Sequence, residues 1–162
     1  MLKIKENEKM KKMKQVAILV LAVLAMMLMA CTGSEKSVTY VLETKDTSTK
    51  IVYVAKGDIV QTQTTYTEMA YTVIGVTTQE EAKIMVEPIV EMYQGIEGLT
   101  HSIDYEEDML IEKLEVDYTK ANIEDIKDLF GSVFDGDAKN GARISLKRSI
   151  SLLEEQGYTE EK

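Results

Sequence analysis

The chain has 162 residues, and its 28 acidic side chains outnumber its 19 basic ones, for a formal net charge of −9. Such an acidic surface is repelled by nucleic acid and by anionic lipid head groups, which argues against both as electrostatic partners of the chain as a whole. With one cysteine and one histidine, the chain also lacks the residues for an internal disulfide or for a zinc site with several nitrogen or sulfur ligands.

The first 30 residues have the organisation of a secretory signal peptide. A lysine-rich stretch, which starts at Met1 or at Met10, precedes an uncharged run from Val16 to Met29. This run is about 14 residues long, or roughly 20 Å as a helix, whereas a bilayer core is about 30 Å thick. Residues 1–30 are therefore predicted to be a signal peptide that is removed.

The segment at the end of this run resembles the lipobox of bacterial lipoproteins. Leu28, Ala30 and Cys31 stand at the positions of its leucine, its small residue and its cysteine. The resemblance implies that the Cys31 thiol receives diacylglycerol and that cleavage occurs just before it. Two or more acyl chains make a stable anchor, so we expect a covalent lipid on Cys31 and no cofactor. The alternative is a chance cysteine near an ordinary cleavage site or in an uncleaved anchor.

The remainder of the chain is predicted to be one acidic domain on a short tether. Residues 31–37 form the lipidated cysteine and a polar tether that spans at most about 20 Å, and residues 38–162 form the domain. Residues 1–30 carry six lysines and two glutamates, so the remainder has 13 basic and 26 acidic side chains and a net charge of −13. This length is too short for a two-lobed substrate-binding protein.

Strands are predicted first along this domain. Alternation of apolar and polar residues indicates strands at residues 38–42 and 51–55, with KDTST between them and a turn at Lys56-Gly57-Asp58. A third strand is expected at 59–66 and a fourth β segment at 68–74. The short connections predict a meander of antiparallel hairpins.

A helix is predicted to follow at Thr78. Thr78 and Glu81 form a capping box, and the apolar residues that follow at helical spacing are predicted to face the core: Ala82, Met85, Ile89 and Met92. Pro88 lies inside this helix and predicts a kink, and Gly95 and Gly98 are expected to end it.

The last part of the chain is predicted to contain one more strand and two helices. A strand at Met109–Tyr118 places Leu110, Leu114 and Val116 on one face, and a short helix is expected from Asn122 to Phe130. The final helix has an apolar face of Leu146, Ile150 and Leu153 and is closed by Gly157. This element order predicts an α+β fold of two layers, an antiparallel sheet with helices packed on one face.

Three segments carry a resemblance to a known family. They are GVTTQEEAKIMVEPIVEMYQGIEG, IDYEEDMLIEKLEVDYTKANIEDI and ISLKRSISLLEEQGYTE. Together with the lipobox they resemble the YehR-like lipoproteins of bacteria over nearly the whole mature chain. The resemblance implies a lipid-anchored, two-layer α+β domain with an uncharacterised biochemical role and no catalytic residues to transfer.

His101, in the segment GLTHSID, is interpreted as a histidine of a surface loop, because nothing near it resembles a nucleophile elbow and a lone histidine cannot make a zinc site. A cluster of carboxylates follows, and it is either a weak candidate for a Ca²⁺ site or a solvated turn: Asp104, Glu106, Glu107 and Asp108. The sequence DGDAKNG partly resembles a calcium loop. Lys139 replaces an oxygen ligand and Leu146 replaces the bidentate glutamate, so it is interpreted as a plain loop.

The polar strand segment QTQTTYT either offers hydrogen bonds to a sugar or a peptide or simply faces water. No catalytic signature is found, so the chain is predicted to be a non-catalytic binding or adaptor module rather than an enzyme. Its expected location is the extracytoplasmic face of the cell membrane, or the outer membrane in a host with two. Its expected partners are the membrane, through the lipid, and an envelope protein. The alternatives are a small envelope hydrolase with paired carboxylates and a domain that responds to divalent cations.

Overall fold

The computed structural model describes residues 34–122, 125–126 and 143–162. The chain divides into a unit at Met1–Ser34 and a unit at Glu35–Lys162, and the account below concerns the second. In its described residues there are six strands: β1 Glu35–Glu43, β2 Thr47–Lys56, β3 Ile59–Ala70, β4 Leu99–Tyr105, β5 Met109–Asp117 and β6 Thr159–Glu160. There are also two α-helices, α1 Gln79–Tyr93 and α2 Leu146–Glu155, and a 3₁₀ helix at Tyr71–Ile74. None of the helices in these residues is both long enough and apolar enough to cross a membrane.

The six strands form one antiparallel sheet in the order β4-β5-β3-β2-β1-β6. The first three strands are joined by short turns, which confirms the predicted meander. With two helices beside one antiparallel sheet, the fold belongs to the α+β class, as the order of the sequence elements predicts.

The prediction of a separate fourth β segment at 68–74 is wrong. β3 runs without interruption to Ala70, because its residues pair with β2 on one side and β5 on the other. The chain then leaves the sheet, and Tyr71 begins the 3₁₀ helix with its side chain 1% exposed. The KDTST segment is also only partly a turn, since Thr44 N–H donates to Thr47 O over 2.8 Å and β2 begins at Thr47.

Both helices cover the same face of the sheet. His101, Leu114, Thr65, Ile51 and Tyr40 are successive cross-strand partners, so their side chains share one face. Tyr93 of α1 contacts the His101 ring at a centroid distance of 4.7 Å, and the Tyr40 hydroxyl donates to Glu154 of α2 over 3.3 Å. We call this side the covered face and the other side the open face.

Two apolar clusters fill the covered face, one under each helix. The cluster under α2 contains Val38, Tyr40, Ile51, Tyr53, Ala55, Val60, Ile144, Leu146 and Leu153. The cluster under α1 contains Tyr71, Ala82, Val86 and Leu110. Leu110, Leu114 and Val116 all lie on this face and are buried, which confirms the predicted orientation of β5.

The helix α2 begins and ends as its sequence predicts. Ser145 Oγ accepts from Arg148 N–H over 3.3 Å, and the Asp58 carboxylate accepts from Lys147 N–H over 2.9 Å. The bond from Lys147 N–H is the main cause that lowers the pKa of Asp58. At the other end Gly157 adopts φ +93°, the left-handed conformation that closes many helices.

The helix α1 begins as predicted but buries a different face. Thr78 Oγ1 accepts from Glu81 N–H over 3.3 Å, while the Glu81 carboxylate accepts from Thr77 N–H. The helix buries Ala82 and Val86, and it leaves Met85, Ile89 and Met92 exposed, so the predicted core face is wrong. The physical reason is that α1 has apolar residues on most of its circumference, and the small Ala82 permits a close approach to the sheet.

Some predicted features lie outside the described residues. Of the helix expected at Asn122–Phe130, residues 125–126 are described as helical, and Ile126 is 0% exposed. The DGDAKNG loop lies wholly outside. Helix α1 continues through Pro88 to Tyr93, and the kink stays a prediction.

Candidate functional site

The lone histidine lies in a strand and its side chain is buried. His101 belongs to β4, its side chain is 5% exposed, and its Nε2 lies 2.7 Å from Glu112 Oε1. The prediction of a surface loop histidine is therefore wrong. The signal that could have found this strand is the alternation in LTHSIDY, where Leu99, His101, Ile103 and Tyr105 face inward and the residues between them face outward.

The His101–Glu112 pair occupies a polar part of the covered face. Tyr93 meets the His101 ring edge-on, and burial raises the pKa of Tyr93. Beside them opens a cleft of about 310 Å³, which is lined by Val90, Tyr93, Gln94, Gly95, Leu99, Thr100 and His101. The pair ties β4 to β5 by a side-chain contact across the sheet.

Replacing Glu112 with alanine should destabilise the domain by about 1–3 kcal/mol, because it leaves a buried imidazole without its hydrogen-bond partner. Glu115→Ala is the matched control on the same strand. Glu115 pairs with Lys113 over 3.3 Å, and both side chains are more than 40% exposed, so its loss should cost less than about 0.5 kcal/mol. Urea unfolding of the two variants measures the difference. Equal losses would show that the buried pair contributes nothing special.

The predicted acidic cluster is a hairpin turn that supports a buried tyrosine. Asp104, Glu106, Glu107 and Asp108 are exposed. The main-chain carbonyl of Glu106 accepts from the Tyr71 hydroxyl over 2.7 Å, and that of Asp108 accepts from Tyr71 N–H over 3.0 Å. In the described part of the chain, no three His, Cys, Asp or Glu side chains form a metal-binding group.

The polar strand segment QTQTTYT divides between the two faces of the sheet. On the covered face Gln63 donates to Thr65 Oγ1 and accepts from the Tyr118 hydroxyl over 2.8 Å. On the open face Tyr66 lies under the Lys113 ammonium group, 5.8 Å from the ring centroid. A shallow groove of about 510 Å³ passes this tyrosine, lined by Val41, Glu43, Ser48, Lys50, Tyr66, Glu68, Ile111 and Glu161. Binding of a sugar or peptide there stays a prediction.

The largest exposed apolar side chains of the described residues cluster on α1. Ile84 is 75% exposed, Met85 53%, Ile89 42% and Met92 56%. With the exposed Pro88 they form one continuous band along the helix, because they recur at spacings of three and four residues. We call this set the apolar stripe. Sequence reasoning missed it because the same residues were assigned to the core.

An acidic row borders the apolar stripe. Glu80, Glu87 and Glu91 are exposed and are separated by seven and four residues, which aligns them along one side of α1. The single basic residue of the helix, Lys83, is turned elsewhere, 3.2 Å from Gln79 Oε1 and 5.3 Å from the centroid of the Tyr105 ring. The surface therefore combines exposed apolar side chains with negative charge.

The lipobox residues Leu28, Ala30 and Cys31 lie outside the described residues. Comparison with known proteins bears on them through the names of relatives. An uncharacterised lipoprotein of Listeria innocua, Lin0239, is 45% identical over 134 residues, which cover 83% of this chain and 86% of that protein. The uncharacterised lipoprotein YehR of Escherichia coli is 29% identical over 136 residues, 83% of this chain and 88% of that protein.

Solved structures agree with the fold. The NMR structure of E. coli YehR matches with a TM-score of 0.67 and 27% identity, over 79% of this chain and 91% of that one. An NMR structure of a Streptococcus pneumoniae TIGR4 protein matches with a TM-score of 0.52 and 12% identity, over 80% and 86%, and so shows the fold alone. The family DUF1307, described as a protein of unknown function, matches residues 36–159. The resemblance to YehR is thus confirmed, and the chain belongs to the DUF1307 family.

Proposed function

We propose that this chain is a lipoprotein of the bacterial cell envelope that acts as a non-catalytic binding or adaptor module. In this proposal the signal peptide of residues 1–30 is removed, Cys31 carries the lipid, and residues 31–37 tether the domain to the extracytoplasmic face of the membrane. The lipoprotein names of the relatives support the anchor. In a host with two membranes the same anchor would hold the domain on the outer membrane.

The observation that carries the binding role is the apolar stripe on α1. Exposed methionine and isoleucine side chains that form a continuous patch mark an interaction surface, because their contact with water is unfavourable. Methionine is also suited to such a surface, since its flexible thioether adapts to different shapes. A lipid anchor adds effective concentration, so a weak contact with another envelope protein is sufficient.

The acidic row specifies the chemistry of the partner. The charge of Glu80, Glu87 and Glu91 favours a protein segment whose apolar ridge is flanked by lysine or arginine. A second copy of this chain is a poor occupant, because two such helices would bring like charges together and α1 contributes one lysine only. We therefore commit to an envelope protein that presents a basic amphipathic segment.

Site-specific photocrosslinking in intact cells tests this surface. A photoreactive residue at Met92, in the apolar stripe, should give one discrete adduct, and the same residue at Val73, 48% exposed outside α1, should not. Changing Met85 and Ile89 to glutamate should lower the adduct at least about tenfold. Burial of such a side chain contributes about 1.5–3 kcal/mol, and about 1.4 kcal/mol corresponds to tenfold.

The charge requirement is tested by Glu87→Lys with Glu91→Lys, which should lower the adduct in the same way. Glu155→Lys, an exposed carboxylate at the end of α2, is the control and should leave it unchanged. An adduct of twice the chain mass would show that a second copy occupies the stripe. Equal adducts from the stripe and from Val73 would remove the docking role.

The structure offers no specific support for the two alternatives. The described carboxylates with a resolved shift, Asp58, Glu81 and Asp117, have their pKa lowered by hydrogen bonds from Lys147 N–H, Thr77 N–H and the Lys120 ammonium group. A general acid of a glycoside hydrolase needs a raised pKa instead. The carboxylates suggested for a cation face solvent around their turn.

A further inference from the structure

The two ends of the sheet differ in charge. One end, which we call the anchor end, gathers the start of β1, the β2–β3 turn, the end of β5 and the start of α2. Glu35 pairs with Lys56 across β1 and β2, Asp58 holds Ser145 and Lys147, and Asp117 N–H donates to Gly98 O. These contacts bring residues 35–36, 56–58, 97–98, 117–120 and 143–148 to one place.

The anchor end concentrates basic side chains. It carries six, all exposed: Lys36, Lys56, Lys120, Arg143, Lys147 and Arg148. Four carboxylates accompany them, those of Glu35, Asp58, Glu97 and Asp117. Two of the four are engaged within the protein, because Asp58 accepts from Ser145 and Lys147, and Asp117 accepts from Thr119 and pairs with Lys120 over 2.7 Å. The positive groups are therefore the ones left to face outward.

The opposite end, which we call the far end, is strongly acidic. Ala70 N–H donates to Asp46 O, Tyr71 N–H to Asp108 O, and the Gln79 amide to Tyr105 O, which places three connections side by side. Residues 43–46, 79–81 and 104–108 contain one basic side chain, Lys45. Their eight carboxylates are Glu43, Asp46, Glu80, Glu81, Asp104, Glu106, Glu107 and Asp108. The negative charge of the domain is thus concentrated away from the anchor end.

The chain that leads to the lipid leaves from the anchor end. Cys31 precedes Glu35, the first residue of β1, by four residues, which span at most about 14 Å. β1 has nine residues, so the far end is about 30 Å away along the strand. An acyl chain on Cys31 would hold the basic end close to the head groups.

We propose that the anchor end is a lipid-facing surface, where basic side chains contact anionic phospholipid head groups and hold the sheet upright on the bilayer. The inference rests on the lipid attachment proposed above. Anionic lipids attract lysine and arginine within a Debye length, about 8 Å at physiological salt, while they repel the acidic far end. In this orientation α1, which runs beside β4, presents its apolar stripe sideways to other proteins at the membrane.

Fluorescence transfer from tryptophan can measure this orientation, because the chain contains no tryptophan of its own. The acylated full-length mature protein is placed in vesicles of phosphatidylcholine with phosphatidylglycerol and a dansyl-labelled lipid. One variant carries Thr119→Trp at the anchor end, and the other carries Thr72→Trp in the 3₁₀ helix at the far end; both positions are exposed. We expect greater transfer from position 119 than from position 72.

Charge reversals separate attraction from mere tethering. Lys56→Glu with Lys147→Glu, at the anchor end, should bring the ratio of the two transfers close to one, and so should replacing phosphatidylglycerol with phosphatidylcholine. Lys45→Glu with Lys83→Glu makes the same change in net charge at the far end and should leave the ratio unchanged. Circular dichroism confirms that each variant is folded.

Three outcomes overturn the inference: equal transfer from both positions in wild-type background, a ratio that ignores phosphatidylglycerol, or equal effects of the two double reversals. Failure of the anchor itself looks different. A protein that is not acylated would leave neutral phosphatidylcholine vesicles on sedimentation, whereas a wrong orientation leaves it bound there with equal transfers.

Discussion

Replacing Cys31 with serine should abolish lipid labelling of this protein and release it from membranes. Serine has no thiol to accept diacylglycerol, and the 14-residue apolar run before it is short for a membrane-spanning helix. Buried methylene groups contribute about 0.8 kcal/mol each, so two acyl chains supply far more than the roughly 2.8 kcal/mol that corresponds to a hundredfold change in partition. We therefore expect the membrane-bound fraction to fall at least about a hundredfold.

The measurement is incorporation of radioactive palmitate into cells, followed by sedimentation of membranes. Thr32→Ala, one residue further along the chain, is the matched control and should be labelled and sediment like the wild type. An unlabelled wild-type protein, together with a serine variant that still sediments with membranes, would refute the lipid anchor and the orientation built on it.

Replacing Gly98 with alanine should be among the most destabilising single changes in the domain. Gly98 has φ +78°, and a Cβ there would lie 2.6 Å from Ala121 N and 2.8 Å from Asp117 O. Both obstacles are main-chain atoms of the turn after β5, which is itself held by Asp117 N–H donating to Gly98 O over 2.7 Å. Left-handed strain contributes about 1–2 kcal/mol and overpacking a further 1–3 kcal/mol, so we expect a loss of about 2–5 kcal/mol.

Gly95→Ala isolates the part of this effect due to backbone conformation. Gly95 has φ +77°, nearly the same as Gly98, but no atom lies within 4 Å of its Cβ position. It should therefore lose only about 1–2 kcal/mol. Urea midpoints of both variants give the comparison, and a Gly98 variant no less stable than the Gly95 variant would show that the α1–β4 connection moves aside freely.

Local sequence patterns were sufficient for the elements whose two sides differ clearly. β5 alternates apolar and charged residues, and its buried side chains are the predicted Leu110, Leu114 and Val116. α2 has a serine before it, an apolar row within it and Gly157 after it, and each of these features acts through contacts within a few residues. Such short-range contacts can be predicted without knowing what the element packs against.

Patterns failed where both sides of an element had a claim to the core. α1 offers one row through Ala82 and Val86 and another through Met85, Ile89 and Met92, and the sheet selected the row with the small alanine. His101 was misplaced for a related reason, since its neighbour Glu112 is eleven residues away and the pair forms only when β4 and β5 align. A polar residue alone does not show whether a partner will meet it inside.

The sequence by itself determined the α+β class, most strand and helix positions, the family, and the expectation of a lipid on Cys31, because these depend on order and spacing along the chain. Only the tertiary structure decided which face of α1 is exposed and how charge is distributed. A net charge of −13 for the mature chain describes a sum and not a place. Folding gathers lysines and arginines from residues far apart at the anchor end and most turn carboxylates at the far end, since strand registry places distant residues side by side.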